Sequence, residues 1–132
     1  MTDQPEAKIA GKVVKGAGQN LRRMIQGTLL GAIHERTGIV FYPGTLNVEL
    51  GEPFDFSGAL RIESDEMVGG DPGVSLVPCL VFGEVQGFVM REDDTPRPDR
   101  VVDVIAYLPL RDWFDLKDGD TVELVVPARR TG

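Results

Sequence analysis

Residues 75–90, SLVPCLVFGEVQGFVM, decide the fold. Two apolar runs, Ser75–Phe82 and Val85–Met90, flank Gly83-Glu84. Valine, isoleucine and aromatic residues suit a pleated surface, and a short glycine-containing break between two such runs reads as a hairpin turn. The same grammar extends both ways. Upstream, Tyr42-Pro43-Gly44 is a turn signal leading into Thr45–Leu50, and Leu60–Ser64 is a short strand candidate. Downstream lie Val101–Leu108 and, after Asp118-Gly119-Asp120, Thr121–Val126. Lys8–Lys15 (KIAGKVVK) reads as the first strand. Leu21–Arg36 breaks the pattern, because Leu21, Met24, Ile25, Leu29 and Ile33 recur near helical spacing and Gly38 supplies a stop. Arg111–Leu116 reads as a short helical turn, and the polar Arg91–Arg100 as a mobile loop. Short strands with one early helix predict a mainly β fold, a closed or nearly closed barrel. The predicted domain is 8–127, with flexible tails at 1–7 and 128–132.

Composition narrows the function. A chain of 132 residues, 42% hydrophobic and 27% charged, fits one globular domain with no attached regulatory unit. The net charge of −7 argues against non-specific nucleic-acid binding, which needs a basic face to displace counterions. No apolar run approaches the ~18–20 residues of a membrane span. One cysteine and one histidine exclude an internal disulfide and a Cys/His zinc site. With the polar, acidic start MTDQPEAK, these absences predict a cytoplasmic protein.

Most motif templates fail. Gly11-Lys12-Val13-Val14-Lys15-Gly16 has the glycine spacing of a P-loop, but Ala17-Gly18 stands where the phosphate-binding lysine and the magnesium-binding hydroxyl are required. Leu21 occupies the third glycine position of a GxGxxG pattern, and His34-Glu35-Arg36-Thr37-Gly38 lacks a zincin's second histidine. Three features remain. Gly16-Ala17-Gly18 joins a strand to a helix, either cradling an anion with backbone amides or making a tight packing loop. Thr45 and Asn47 are two apart and share a strand face, so they read as oxygen ligands for Mg²⁺ or as a polar pair on a solvated edge. Asp103 sits inside the apolar run Val101-Val102-Asp103-Val104-Ile105 and needs a partner there. It can be a general base, an outer-shell group of a magnesium site or a structural acceptor. Elsewhere the plainer readings win: His34 as a helix-end residue, Cys79 as core, Trp113-Phe114 as an anchor for the closing turn, and Glu92-Asp93-Asp94 as a solvated loop.

In order along the chain, these segments resemble the CTP-dependent riboflavin kinases best known from archaea. The likeness covers about residues 9–126. It rests on Gly11–Gly18, on Tyr42-Pro43-Gly44-Thr45-Leu46-Asn47 (the family's "YPGTLN"), and on Val102-Asp103-Val104-Ile105-Ala106 followed by Leu110-Arg111 and Leu116-Lys117-Asp118-Gly119-Asp120. The resemblance implies a six-stranded cradle-loop (RIFT-type) β-barrel that transfers the γ-phosphoryl group of CTP to riboflavin, giving FMN and CDP. It implies Mg²⁺ on Thr45 and Asn47, nucleotide phosphates on the loop Lys15, Gly16, Ala17, Gly18, Gln19 and Asn20, and catalysis by Asp103, where the family commonly has Glu. Lys15 reads equally as an exposed strand-end lysine. The implied partners are two small molecules, CTP and riboflavin.

The chain departs from the family in several places. Gly18-Gln19-Asn20-Leu21-Arg22-Arg23 replaces a glycine- and aromatic-rich loop, and residues 69–73 replace a more basic and aromatic one. Residues 96–100 lack the usual His/Tyr, and Tyr107 replaces a proline. These changes touch the acceptor and the base preference. They leave two further readings: the same barrel phosphorylating another small alcohol, or a non-catalytic nucleotide- or flavin-binding module.

Overall fold

Strand β1 (Glu6–Val13) alternates exposed and covered residues along its length, as a strand does when one face meets solvent and the other a core. The computed structural model describes residues 6–15, 28–66, 72–93 and 95–127. After β1 come α1 (Thr28–Thr37), β2 (Leu46–Leu50), β3 (Leu60–Ile62), a 3₁₀ turn (Ser64–Glu66), β4 (Val74–Val81), β5 (Val85–Glu92), β6 (Val101–Ala106), α2 (Leu110–Trp113) and β7 (Thr121–Pro127). The strands pair antiparallel in the order β3-β4-β5-β6-β2-β1-β7. Strand β7 also pairs with β4, through Leu80↔Val125 and Val81↔Leu124. That second pairing closes a six-stranded barrel of β1, β2, β4, β5, β6 and β7, with β3 added beside the start of β4.

The barrel is mainly β with one early helix, as the sequence predicts. Its interior is filled by side chains such as Val13, Val48, Val81, Val89, Val104 and Leu124. A second cluster lies on the outer face of β4, β5 and β6, where Leu29 and Ile33 of α1 pack with Leu76, Phe88, Met90 and Ile105. These strands are therefore covered on both sides. That explains why they read as continuous apolar runs and not as clean alternation. No helix among the described residues is long and apolar enough to cross a membrane.

Several boundaries move. β1 begins at Glu6, two residues before the expected start, because Glu6 and Ala7 pair with Pro127 and Val126. Ser64 belongs to the 3₁₀ turn and not to β3. Of the predicted helix Leu21–Arg36, residues 28–36 lie in α1 and residues 21–27 lie outside the described residues. The β4–β5 turn is centred one residue earlier than expected. Phe82 (φ 53°) and Gly83 (φ 68°) are both left-handed, and the Glu84 amide donates to the Val81 carbonyl at 3.0 Å. A left-handed phenylalanine costs roughly 1–2 kcal/mol. Its ring packs against Phe114, with centroids 4.7 Å apart, and this tertiary contact holds it there.

The expected mobile loop after β5 is tied down. The Arg91 guanidinium donates to the carbonyls of Arg97 (2.8 Å), Pro98 (2.8 Å) and Val101 (2.9 Å). Asp93 is not merely solvated. It accepts a two-pronged pair of hydrogen bonds from Arg61, at 2.9 and 2.8 Å, which holds its carboxyl below the usual range.

Candidate active site

Antiparallel pairing of β2 with β6 sets Asn47 opposite Asp103. Their neighbours Leu46, Val48, Val102 and Val104 fill the barrel, so the two polar side chains face outward, toward the side covered by α1. They are the two buried polar side chains among the described residues, 6% and 4% exposed. Burial of a carboxylate is costly unless charge and hydrogen bonds are matched. Here Asp103 Oδ1 accepts from Asn47 Nδ2 and from Arg97 Nη1, the latter at 2.8 Å. Because the amide nitrogen of Asn47 turns to Asp103, its oxygen points away from the carboxylate.

The same residue anchors the incoming chain. The Asn47 carbonyl accepts from the Val14 amide at 2.9 Å, and the exposed Lys15 follows directly. The buried pair thus lies at the root of the glycine loop. Gly16, Ala17, Gly18, Gln19 and Asn20 themselves lie outside the described residues.

Thr45 immediately precedes β2 and is half-buried. It lines a cleft of about 220 Å³ with Tyr42, Leu108, Pro109 and Arg111. The Tyr42 amide donates to the Ala106 carbonyl at 2.8 Å, which fixes the Tyr-Pro-Gly turn against the end of β6. Thr45, just before β2, and Asn47, within it, each bring one neutral side-chain oxygen. Mg²⁺ takes hard oxygen ligands and commonly uses few from protein, completing its shell with water and phosphate. No group of three or more His, Cys, Asp or Glu gathers among the described residues, so a metal here would not sit in an all-protein cage. The donor set suits a magnesium ion that arrives with a polyphosphate.

Other singled-out residues fall where plain packing puts them. Cys79 is buried in the barrel core, and burial pushes its thiol up to about 12. Phe114 anchors the closing turn through Phe82, whereas Trp113 is exposed. Sequence reasoning missed Arg97 and Arg91. The available signal was the need of a buried Asp103 for a cation. Spacing alone does not choose among Arg91, Arg97 and Arg100.

Comparison with known proteins places this chain in a family. The chain is 29% identical over 134 residues to the riboflavin kinase of Pyrobaculum islandicum, covering 90% of this chain and 60% of that protein. It is 32% identical over 139 residues to the riboflavin kinase of Pyrobaculum calidifontis, covering 94% and 62%. The riboflavin kinase of Thermofilum pendens is 33% identical over 132 residues, covering 90% and 58%. The chain therefore spans about three-fifths of the length of these curated relatives. The model for CTP-dependent riboflavin kinase, described as a domain of unknown function (DUF120), matches residues 13–126, from the end of β1 into β7. That span takes in Thr45, Asn47, Arg97, Asp103 and the whole glycine loop, and by it this chain belongs to the CTP-dependent riboflavin kinase family.

Proposed function

We propose that this chain is a kinase that transfers the γ-phosphoryl group of CTP to the ribityl 5′-hydroxyl of riboflavin, giving FMN and CDP. The observation that carries the reading is the buried Asn47–Asp103 pair at the root of the glycine loop. The names of the relatives and of the family point the same way.

Phosphoryl transfer asks a protein mainly for positioning and for charge stabilisation. In this reading Asp103 orients the acceptor hydroxyl and takes its proton as the oxygen bonds to the γ-phosphorus and the bond to CDP breaks. Asn47 and Arg97 hold that carboxylate in place. The loop Lys15, Gly16, Ala17, Gly18, Gln19 and Asn20 offers backbone amides and one ammonium group to the phosphates. Thr45 and Asn47 would hold Mg²⁺, which when bound offsets the charge that an acidic protein and a triphosphate bring together. Both substrates are small molecules, so the reading calls for no nucleic-acid or membrane partner.

The test is to incubate the purified chain with riboflavin, Mg²⁺ and either CTP or ATP, and to separate the flavins by chromatography. FMN formed faster with CTP, and abolished by EDTA, is the expected result. Folded protein that makes no FMN with either nucleotide contradicts it.

A further inference from the structure

Asp103 is held by a residue that is itself held. Arg97 reaches it from the loop between β5 and β6, with Nη1 2.8 Å from Oδ1. The Arg97 side chain is 22% exposed and that of Asp103 5%. Arg97–Asp103 is the one ion pair among the described residues that has a buried partner. Arg97 does not find this position by its own backbone preference. Arg91, near the end of β5, donates through Nη2 to the Arg97 carbonyl at 2.8 Å, and through Nη1 to Pro98 and Val101 on either side of the loop's return. One arginine therefore folds the loop, and the folded loop delivers the other arginine to the carboxylate.

We propose that Arg97 is the positioning residue for Asp103 and that Arg91 sets Arg97, so that two stacked arginine contacts fix the carboxylate that handles the acceptor hydroxyl. The proposal rests on the kinase reading above. The aspartate side chain is short, so its reach depends on a fixed rotamer. A misplacement of ~1 Å at a reacting group is enough to cost about 10²-fold in rate.

The test uses the whole chain with Arg97→Met, Arg97→Lys and Arg91→Met. Arg97→Met is expected to lower kcat about 10²-fold with KM for riboflavin and CTP within about twofold, since Arg97 acts through Asp103 and not on substrate. Arg97→Lys, which keeps the charge beside a buried carboxylate, is expected to recover most of that loss and to fold even if Arg97→Met does not. Arg91→Met is expected to lower kcat by about tenfold, again with KM unchanged. A rise in KM for CTP with kcat unchanged makes Arg97 a donor contact and overturns the proposal. So does lowered stability with unchanged kcat per folded molecule.

A readout independent of turnover separates this proposal from the kinase reading. The side-chain amide resonances of Asn47, assigned with Asn47→Ala, are expected to shift in Arg91→Met, although the Arg91 guanidinium donates to the carbonyls of Arg97, Pro98 and Val101. Unshifted resonances in both Arg91→Met and Arg97→Lys overturn the brace whether or not the protein makes FMN. Shifted resonances in a protein that makes no FMN keep the brace and reject the kinase reading.

Discussion

Asn47 and Asp103 face each other across β2 and β6, joined by a hydrogen bond from amide to carboxylate on the outer wall of the barrel. Strand register alone brings them together from 56 positions apart in sequence. The pair turns the amide oxygen of Asn47 away from Asp103, and the backbone of Asn47 receives the strand that leads to the glycine loop.

Asn47→Ala removes both the amide oxygen and one donor to Asp103. Turnover is expected to fall by about 10²–10³-fold, the usual cost of removing one preorganised polar group from a reaction site. The protein stays folded but loses about 1–3 kcal/mol, because a buried acceptor is left short of a partner. Steady-state kinetics and a urea titration on the same preparation check both halves.

Gly11 lies where β1 meets β2, and a Cβ built there would come within 2.5 Å of Val48 Cγ1 and 2.7 Å of the Glu49 carbonyl oxygen. Gly11→Ala forces the two strands apart at the root of the site. A loss of about 1–3 kcal/mol is expected from overpacking. An unchanged urea midpoint speaks against this packing.

The Arg61–Asp93 pair gives the fold a sensitivity to acid. The hydrogen bonds from Arg61 lower the carboxyl of Asp93 below its ordinary value. A lowered carboxyl stabilises the folded state above its unfolded pKa, and the contribution is lost as pH falls through the folded value. Asp93→Asn is therefore expected to be less stable than wild type near neutral pH, with the gap closing below roughly pH 4. Denaturant midpoints across this range check it, and a gap that stays constant with pH contradicts the assignment.

Cys79 packs inside the barrel, and burial raises its thiol to about 12. The thiolate is the reactive form, so a disulfide reagent is expected to leave the native protein unlabelled at mildly alkaline pH and to label it fully in concentrated guanidinium. Rapid labelling of the native protein would show that the core opens.

Much of this architecture is legible in the sequence. Thr45–Leu50 and Thr121–Val126 read as strands because valine and leucine alternate with polar residues there, and β2 and β7 lie almost where that pattern puts them. Asp103 stands out because a carboxylate within an apolar run demands an explanation. What stays hidden depends on distant contacts. Phe82 reads as a strand end, and only Phe114 explains why it turns left-handed. Arg97 reads as part of a mobile loop, and only the three carbonyls held by Arg91 bring it over Asp103. Register across the barrel, which sets Asn47 on Asp103, comes from closure of the whole sheet and not from any local stretch.

The most direct measurement follows one phosphate. CTP labelled in its γ-phosphate is mixed with riboflavin, Mg²⁺ and the wild-type chain, with Asp103→Asn in parallel. The wild type is expected to give labelled FMN and unlabelled CDP, and Asp103→Asn to lose about 10²-fold or more of the label transfer. Equal label transfer by the two proteins, or no labelled FMN from the folded wild type, would contradict this expectation.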